Sequence, residues 1–203
     1  IILKSNKIKT QAFKDVVSLY GNKAALELED YHINNGGISR YKKFIYFIET
    51  IAQNHGIKKD SINLNNLLKN YSRIVKNKLE NCEICNQIID YRRYSKATWF
   101  IVSGSDQQEL IEVFEKRKLI DIFNGGIFGS PLSKDEIFNE IFKDKMIDRS
   151  KSIYIGDSKY DFFASQNIGI DFIFISKWSE FKEIKIFSRE NNINCYNEFM
   201  ELI

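Results

Sequence analysis

Apolar positions follow two different rhythms along the chain. From Asn6 to about Tyr94 they return every three or four residues, the spacing of one face of a helix. Phe13, Val16, Val17 and Tyr20 share one such face. Phe44, Ile45, Ile48, Ile51 and Ala52 make a second, opened by Ser39 as an N-cap and stopped by Gly56. Leu67, Leu68, Tyr71, Ile74, Val75 and Leu79 make a third, and Asn34-Asn35-Gly36-Gly37 reads as a turn between helices. After residue 95 short apolar runs alternate with helical stretches. Strands are expected over residues 97–102, 126–128, 152–155 and 172–175, with helices over 105–118, 133–143 and 160–166. Apolar strands of this length between helices predict a parallel sheet covered on both faces. Ligands of such sheets bind at the carboxyl ends of the strands, so polar residues there are the first candidates for chemistry.

Three such places stand out. The run Trp99-Phe100-Ile101-Val102 ends in Ser103-Gly104-Ser105-Asp106. A hydroxyl and free N–H groups opening a helix suit an anion, and Ser105 or Asp106 as a plain helix cap fits the same string. Tyr154-Ile155-Gly156-Asp157 closes a later strand, and Asp161 follows four residues on. Two carboxylates gathered there repel each other unless a cation lies between them, and hard oxygen ligands suit Mg²⁺. The competing reading makes Asp157 a cap and Asp161 a solvated acid in the first turn. Between these lies Gly129-Ser130-Pro131-Leu132-Ser133-Lys134. Lys134 falls in the first turn of a helix, where the dipole disfavours a cation, so it is either solvated or aimed at an anion.

The order Ser103, Lys134, Asp157, Asp161, each at or just after a strand end, resembles the haloacid dehalogenase superfamily of phosphohydrolases. Ser103 is similar to its second motif, Lys134 to its third, and Gly156-Asp157-Ser158-x-x-Asp161 to its fourth. The resemblance is closest over residues 95–176. It implies an α/β fold, a doubly wound parallel-sheet (Rossmann-like) core with an inserted alpha-helical cap. On this reading residues 6–90 are the cap, and 1–5 with 91–203 are the core. The family's first motif, which carries the nucleophilic and the acid/base aspartates, does not occur in the sequence. Ile1-Ile2-Leu3-Lys4-Ser5-Asn6 is similar to the stretch just after that motif, so both aspartates are expected upstream of Ile1.

The resemblance implies a Mg²⁺-dependent phosphohydrolase of a small phosphorylated metabolite, working through an aspartyl-phosphate. Ser103 and Lys134 would be its catalytic residues within this chain. Phosphate would rest on Ser103, Gly104 and Lys134, and Mg²⁺ on Asp157 and Asp161. In the cap, His32 and Arg40 are candidates for choosing the substrate, each with an alternative as a packed or solvated side chain. A phosphomutase and a phosphonate hydrolase are alternatives on the same scaffold. The phosphonate hydrolase would need a cap lysine to form a Schiff base, and the sequence singles none out. A non-catalytic binding or regulatory module is the reading from another class.

Composition narrows the field. With 203 residues, 43% hydrophobic and 28% charged, the chain has the balance of a folded globular protein. A net charge of +3, spread evenly, gives no reason to expect nucleic acid or an anionic membrane. No apolar run approaches the ~20 residues of a membrane helix. Three cysteines cannot all pair internally, which points to a reducing cytoplasm. Cys82-Glu83-Ile84-Cys85 lacks two further ligands at zinc-site spacing.

Overall fold

The computed structural model describes residues 1–144 and 147–202. Its first part is helical: α1 (Asn6–Val17), α2 (Asn22–Asn34), α3 (Arg40–Tyr46), α4 (Ala52–Asn54), α5 (Leu64–Leu79) and α6 (Asn86–Arg92). The faces read from the sequence pack as expected in α1, where Phe13, Val16 and Val17 are buried, and in α5, where Leu67, Tyr71, Val75 and Leu79 are. The second face differs. A π-helical turn, Phe47–Ile51, joins α3 to α4 and shifts the register of the apolar stripe. Phe47 is therefore fully buried while Ile45 is 41% exposed. Ser39 caps α3 by accepting the Lys42 N–H.

The second part alternates strand and helix: β1 (Phe100–Asp106), α7 (Gln107–Lys116), β2 (Gly126–Ser130), α8 (Lys134–Asp144), β3 (Ile153–Gly156), α9 (Lys159–Ile168), β4 (Asp171–Ile175), α10 (Ile184–Glu190) and β5 (Asn194–Tyr196). All pairings among these five strands are parallel, and one isolated antiparallel bridge joins Leu3 to Ile84. β1 extends past its expected end because Asp106 still pairs with Ser130 beyond a bulge. α7 then starts at Gln107, with Asp106 as its cap. The strands fall into two groups, β1 with β2 and β3-β4-β5.

Between these groups runs a cavity of about 790 Å³. Phe100 to Ser105 line it from β1, and Ile153 to Asp157 from β3 and its end. The Tyr154 side chain reaches across, its hydroxyl 2.9 Å from the Val102 carbonyl. The helical layer roofs the strand-end side of this cavity with Asn6, Lys9, His32, Gly36, Gly37 and Lys43. One apolar cluster runs from α1, α3 and α5 into Leu110, Val113 and Phe114 of α7, so the roof and the sheet share a core. No helix among the described residues is long and apolar enough to cross a membrane.

Candidate active site

Backbone geometry brings the strand ends close. At Gly104 an added Cβ would lie 2.1 Å from the Gly37 carbonyl oxygen, so only glycine lets the helical layer's turn settle on the loop after β1. At Gly156 an added Cβ would lie 2.4 Å from the Asp161 Cβ, and its absence lets Asp161 tuck beneath the end of β3. Ser158 caps α9 and forms a capping box with Asp161. One Asp161 oxygen accepts the Asp157 and Ser158 N–H groups at 3.1 and 3.0 Å and the Ser158 hydroxyl at 2.7 Å.

The other Asp161 oxygen forms a buried ion pair with Lys134 and lies 2.8 Å from the Tyr154 hydroxyl. Lys134 also donates to the Tyr154 oxygen at 3.1 Å. Burial opposes the charge on Asp161, but Lys134, Ser158 and Tyr154 outweigh it and hold the carboxyl below its ordinary value. Burial, reinforced by Asp161, pushes the Tyr154 phenol well above its usual range. Lys134 thus has the anion that its place in the first turn calls for.

Ser103, Gly104, Lys134, Asp157 and Asp161 all line the one cavity. The Ser103 hydroxyl accepts the Ser105 N–H at 3.1 Å. Asp157 accepts a hydrogen bond from Asn6 at 3.0 Å. The two acids are therefore unlike. Asp157 keeps acceptor capacity toward the cavity, whereas both oxygens of Asp161 are engaged. Among the described residues no three His, Cys, Asp or Glu side chains gather around a metal position. The donor chemistry fits a hard cation at Asp157, with Asp161 fixing the loop behind it.

The helical layer departs from expectation at Arg40. Its guanidinium makes two 2.7 Å hydrogen bonds to the Glu109 carboxylate on α7, another to Ser72, and lies over the Tyr71 ring. At 4% exposed it ties the helical layer to α7, and its fork is already filled. His32 is buried against Phe13, with its Nδ1 2.7 Å from the Lys43 ammonium. Burial, then Lys43 and Lys9, push the imidazole well below its usual value, so it is neutral and accepts the lysine proton.

Sequence reasoning missed Lys9 and Lys43. The structure puts both in the cavity wall. Lys43 is 1% exposed. Burial, then neighbouring cations, lower both ammonium pKa values, Lys43 well below the ordinary lysine range. The available signal was Lys43 sitting one position before Phe44 on an apolar stripe, but helical periodicity does not say that a lysine turns inward.

Comparison with known proteins bears on the family and the fold. A family model described as haloacid dehalogenase-like hydrolase matches residues 1–175. The chain belongs to that family. Solved structures share the α/β core and helical cap. A haloacid dehalogenase-like family hydrolase from Streptococcus pneumoniae superposes with a TM-score of 0.70 at 17% identity, covering 99% of this chain and 91% of that one. A structure named as a phosphoglycolate phosphatase, from Lactobacillus plantarum, gives 0.70 at 11% identity, with 99% and 92% covered. YfnB of Bacillus subtilis, named as a hydrolase of this family and solved bound to magnesium, gives 0.66 at 15%, with 99% and 92% covered. No curated protein matches the chain. At these identities the likeness is one of fold.

Proposed function

We propose that this haloacid dehalogenase-like hydrolase is a Mg²⁺-dependent phosphatase of a small phosphorylated metabolite in the cytoplasm. One observation carries the reading: the Ser103-Gly104 turn, the buried Lys134 and the partly exposed Asp157 converge on the wall of one cavity at the strand ends. In this reading residues 6–90 form the cap, and 1–5 with 91–203 form the core.

The Ser103 hydroxyl and the Gly104 N–H hold phosphate oxygens. Lys134, positioned by Asp161 and Tyr154, offsets the phosphate charge in a site where water is scarce. A Mg²⁺ ion held by Asp157, with Asp161 behind it, would lessen the repulsion between phosphate and an incoming carboxylate. That carboxylate belongs to the expected aspartate ahead of Ile1. Its attack forms a bond to phosphorus while the ester P–O bond breaks and the leaving oxygen takes a proton from the second expected aspartate. Water then hydrolyses the acyl-phosphate and frees orthophosphate.

The test is phosphate release by the natural protein from a panel of phosphorylated metabolites, with and without Mg²⁺. Turnover that needs Mg²⁺ and collapses in Asp157→Asn is expected. Metal-independent turnover, or an unaffected Asp157→Asn protein, contradicts the reading.

A further inference from the structure

Six cationic side chains line the cavity; Lys151 and Lys159 pair with Asp148 and Glu183 at the surface, and the other four fall into two kinds. Arg40 is neutralised by Glu109 and Lys134 by Asp161. Lys9 and Lys43 have only neutral partners. Lys9 donates to the Ser105 hydroxyl at 2.8 Å, and Lys43 donates to His32 Nδ1 at 2.7 Å while standing 5.4 Å from the Phe13 ring centre. Of the other carboxylates in the wall, Asp148 pairs with Lys151, while Glu180 and Asp157 act on Lys43 and Lys9 only from beyond ion-pair distance. Glu180 accepts the Thr10 hydroxyl at 2.5 Å, and Asp157 accepts Asn6. Neither lysine forms an ion pair among the described residues; Asp157, Glu109 and Glu180 act on them without contact.

An ammonium removed from water without a counter-charge is costly, and proteins keep one chiefly where an anion completes it. Lys43 feels both Lys9 and Lys134 as like charges, so the three cations share one neighbourhood. Lys134 belongs to the phosphate end of the cavity, whereas Lys9 and Lys43 come from α1 and α3 in the roof. The cavity, at about 790 Å³, has room for a small metabolite with two charged heads.

We propose that Lys9 and Lys43 form a second anion subsite, so that the substrate is a phosphate ester whose leaving group bears a further carboxylate or phosphate. This rests on the phosphatase reading and sharpens it. His32 sets the Lys43 ammonium by accepting one proton, leaving two N–H bonds for the anion. Charge-assisted bonds from two lysines suit either head group.

The experiment is calorimetric binding to the natural protein in Mg²⁺, with probes whose P–C bonds resist hydrolysis. Methylphosphonate has one head, phosphonoacetate adds a carboxylate, and methylenebisphosphonate adds a second phosphonate. At least tenfold tighter binding of one two-headed probe over methylphosphonate is expected, and which one wins identifies the second head. In Lys43→Met and Lys9→Met that ratio should fall toward one, and Lys43→Arg should restore part of it. Equal affinities for all three probes in the wild type would overturn the subsite and leave the phosphatase reading standing. A two-headed preference untouched by either lysine variant would overturn it as well. No binding of any probe, methylphosphonate included, would overturn both readings. Borohydride trapping of an aldehyde phosphonate on Lys43 would make that lysine a nucleophile and also overturn the subsite.

Discussion

Lys134 and Lys43 are buried to nearly the same degree, at 5% and 1% exposed, yet the regions around them treat the charge differently. At the strand ends Lys134 is enclosed by Asp161 and Tyr154, and Asp161 is itself saturated by backbone and hydroxyl donors. In the helical roof Lys43 has one neutral nitrogen and an aromatic face. The first is a finished network whose parts hold one another in place. The second is unfinished, and its missing member has the chemistry of an anion. Burial alone does not tell a structural lysine from a binding one; the partner set does.

The largest effect should come from dismantling the finished network. Asp161→Asn leaves Lys134 buried beside a neutral amide, and loss of one partner from a buried pair costs about 3–5 kcal/mol. Urea unfolding of the variant against wild type checks this, and a change within error would mean that water already reaches the pair.

Lys134→Ala should lower kcat/KM by about 10²-fold through loss of a preorganised charge. The helix dipole alone would make this change almost neutral for stability. The structure reverses that expectation, because Asp161 loses its buried cation, at a cost of about 1–3 kcal/mol. Turnover measured beside a thermal melt tests both halves of the statement.

A smaller effect separates the two regions by pH. His32 is held well below its ordinary value of 6.5 in the folded protein, so the unfolded chain binds the extra proton first. Stability is then intact above pH 6.5 and falls with acid below it, by up to about 1.4 kcal/mol per pH unit. Asp161, held below its ordinary 3.8, gives way only in stronger acid. Melts between pH 7.5 and 5 should show the loss in wild type and a flatter profile in His32→Gln. Identical profiles would place the titration elsewhere.

The smallest effect has the opposite sign. Lys43→Met replaces an ammonium lacking a counter-charge with an apolar side chain of similar length. It should stabilise the free protein by about 1 kcal/mol or more, seen as a raised melting temperature.

The strand-end region was the more legible of the two in the sequence. Short apolar runs closed by polar residues located β1 to β4, and the string from Gly156 to Asp161 put both acids at one strand end. Spacing did not distinguish the free carboxylate of Asp157 from the bonded one of Asp161, because that depends on Tyr154 and Lys134 arriving from other elements. β5 and α10 went unseen: Asn194-Cys195-Tyr196 is short and polar at an edge, and α10 spans only Ile184–Glu190. In the roof, periodicity located α1, α3 and α5. It left Arg40 between a substrate contact and a solvated side chain, because its long-range partner, Glu109, lies 69 residues away in the chain. It passed over Lys9 and Lys43 because a lysine beside an apolar stripe ordinarily bends its ammonium out to water.

The buried pair between Arg40 and Glu109 bears on how the molecule comes apart. The roof is fastened at Arg40, whose fork on Glu109 joins α3 to the first helix after β1, and both sides share one apolar cluster. Losing one partner of that pair leaves a buried charge alone. A lesion at Arg40 should therefore be felt by roof and sheet together, as one melting transition moved to lower temperature.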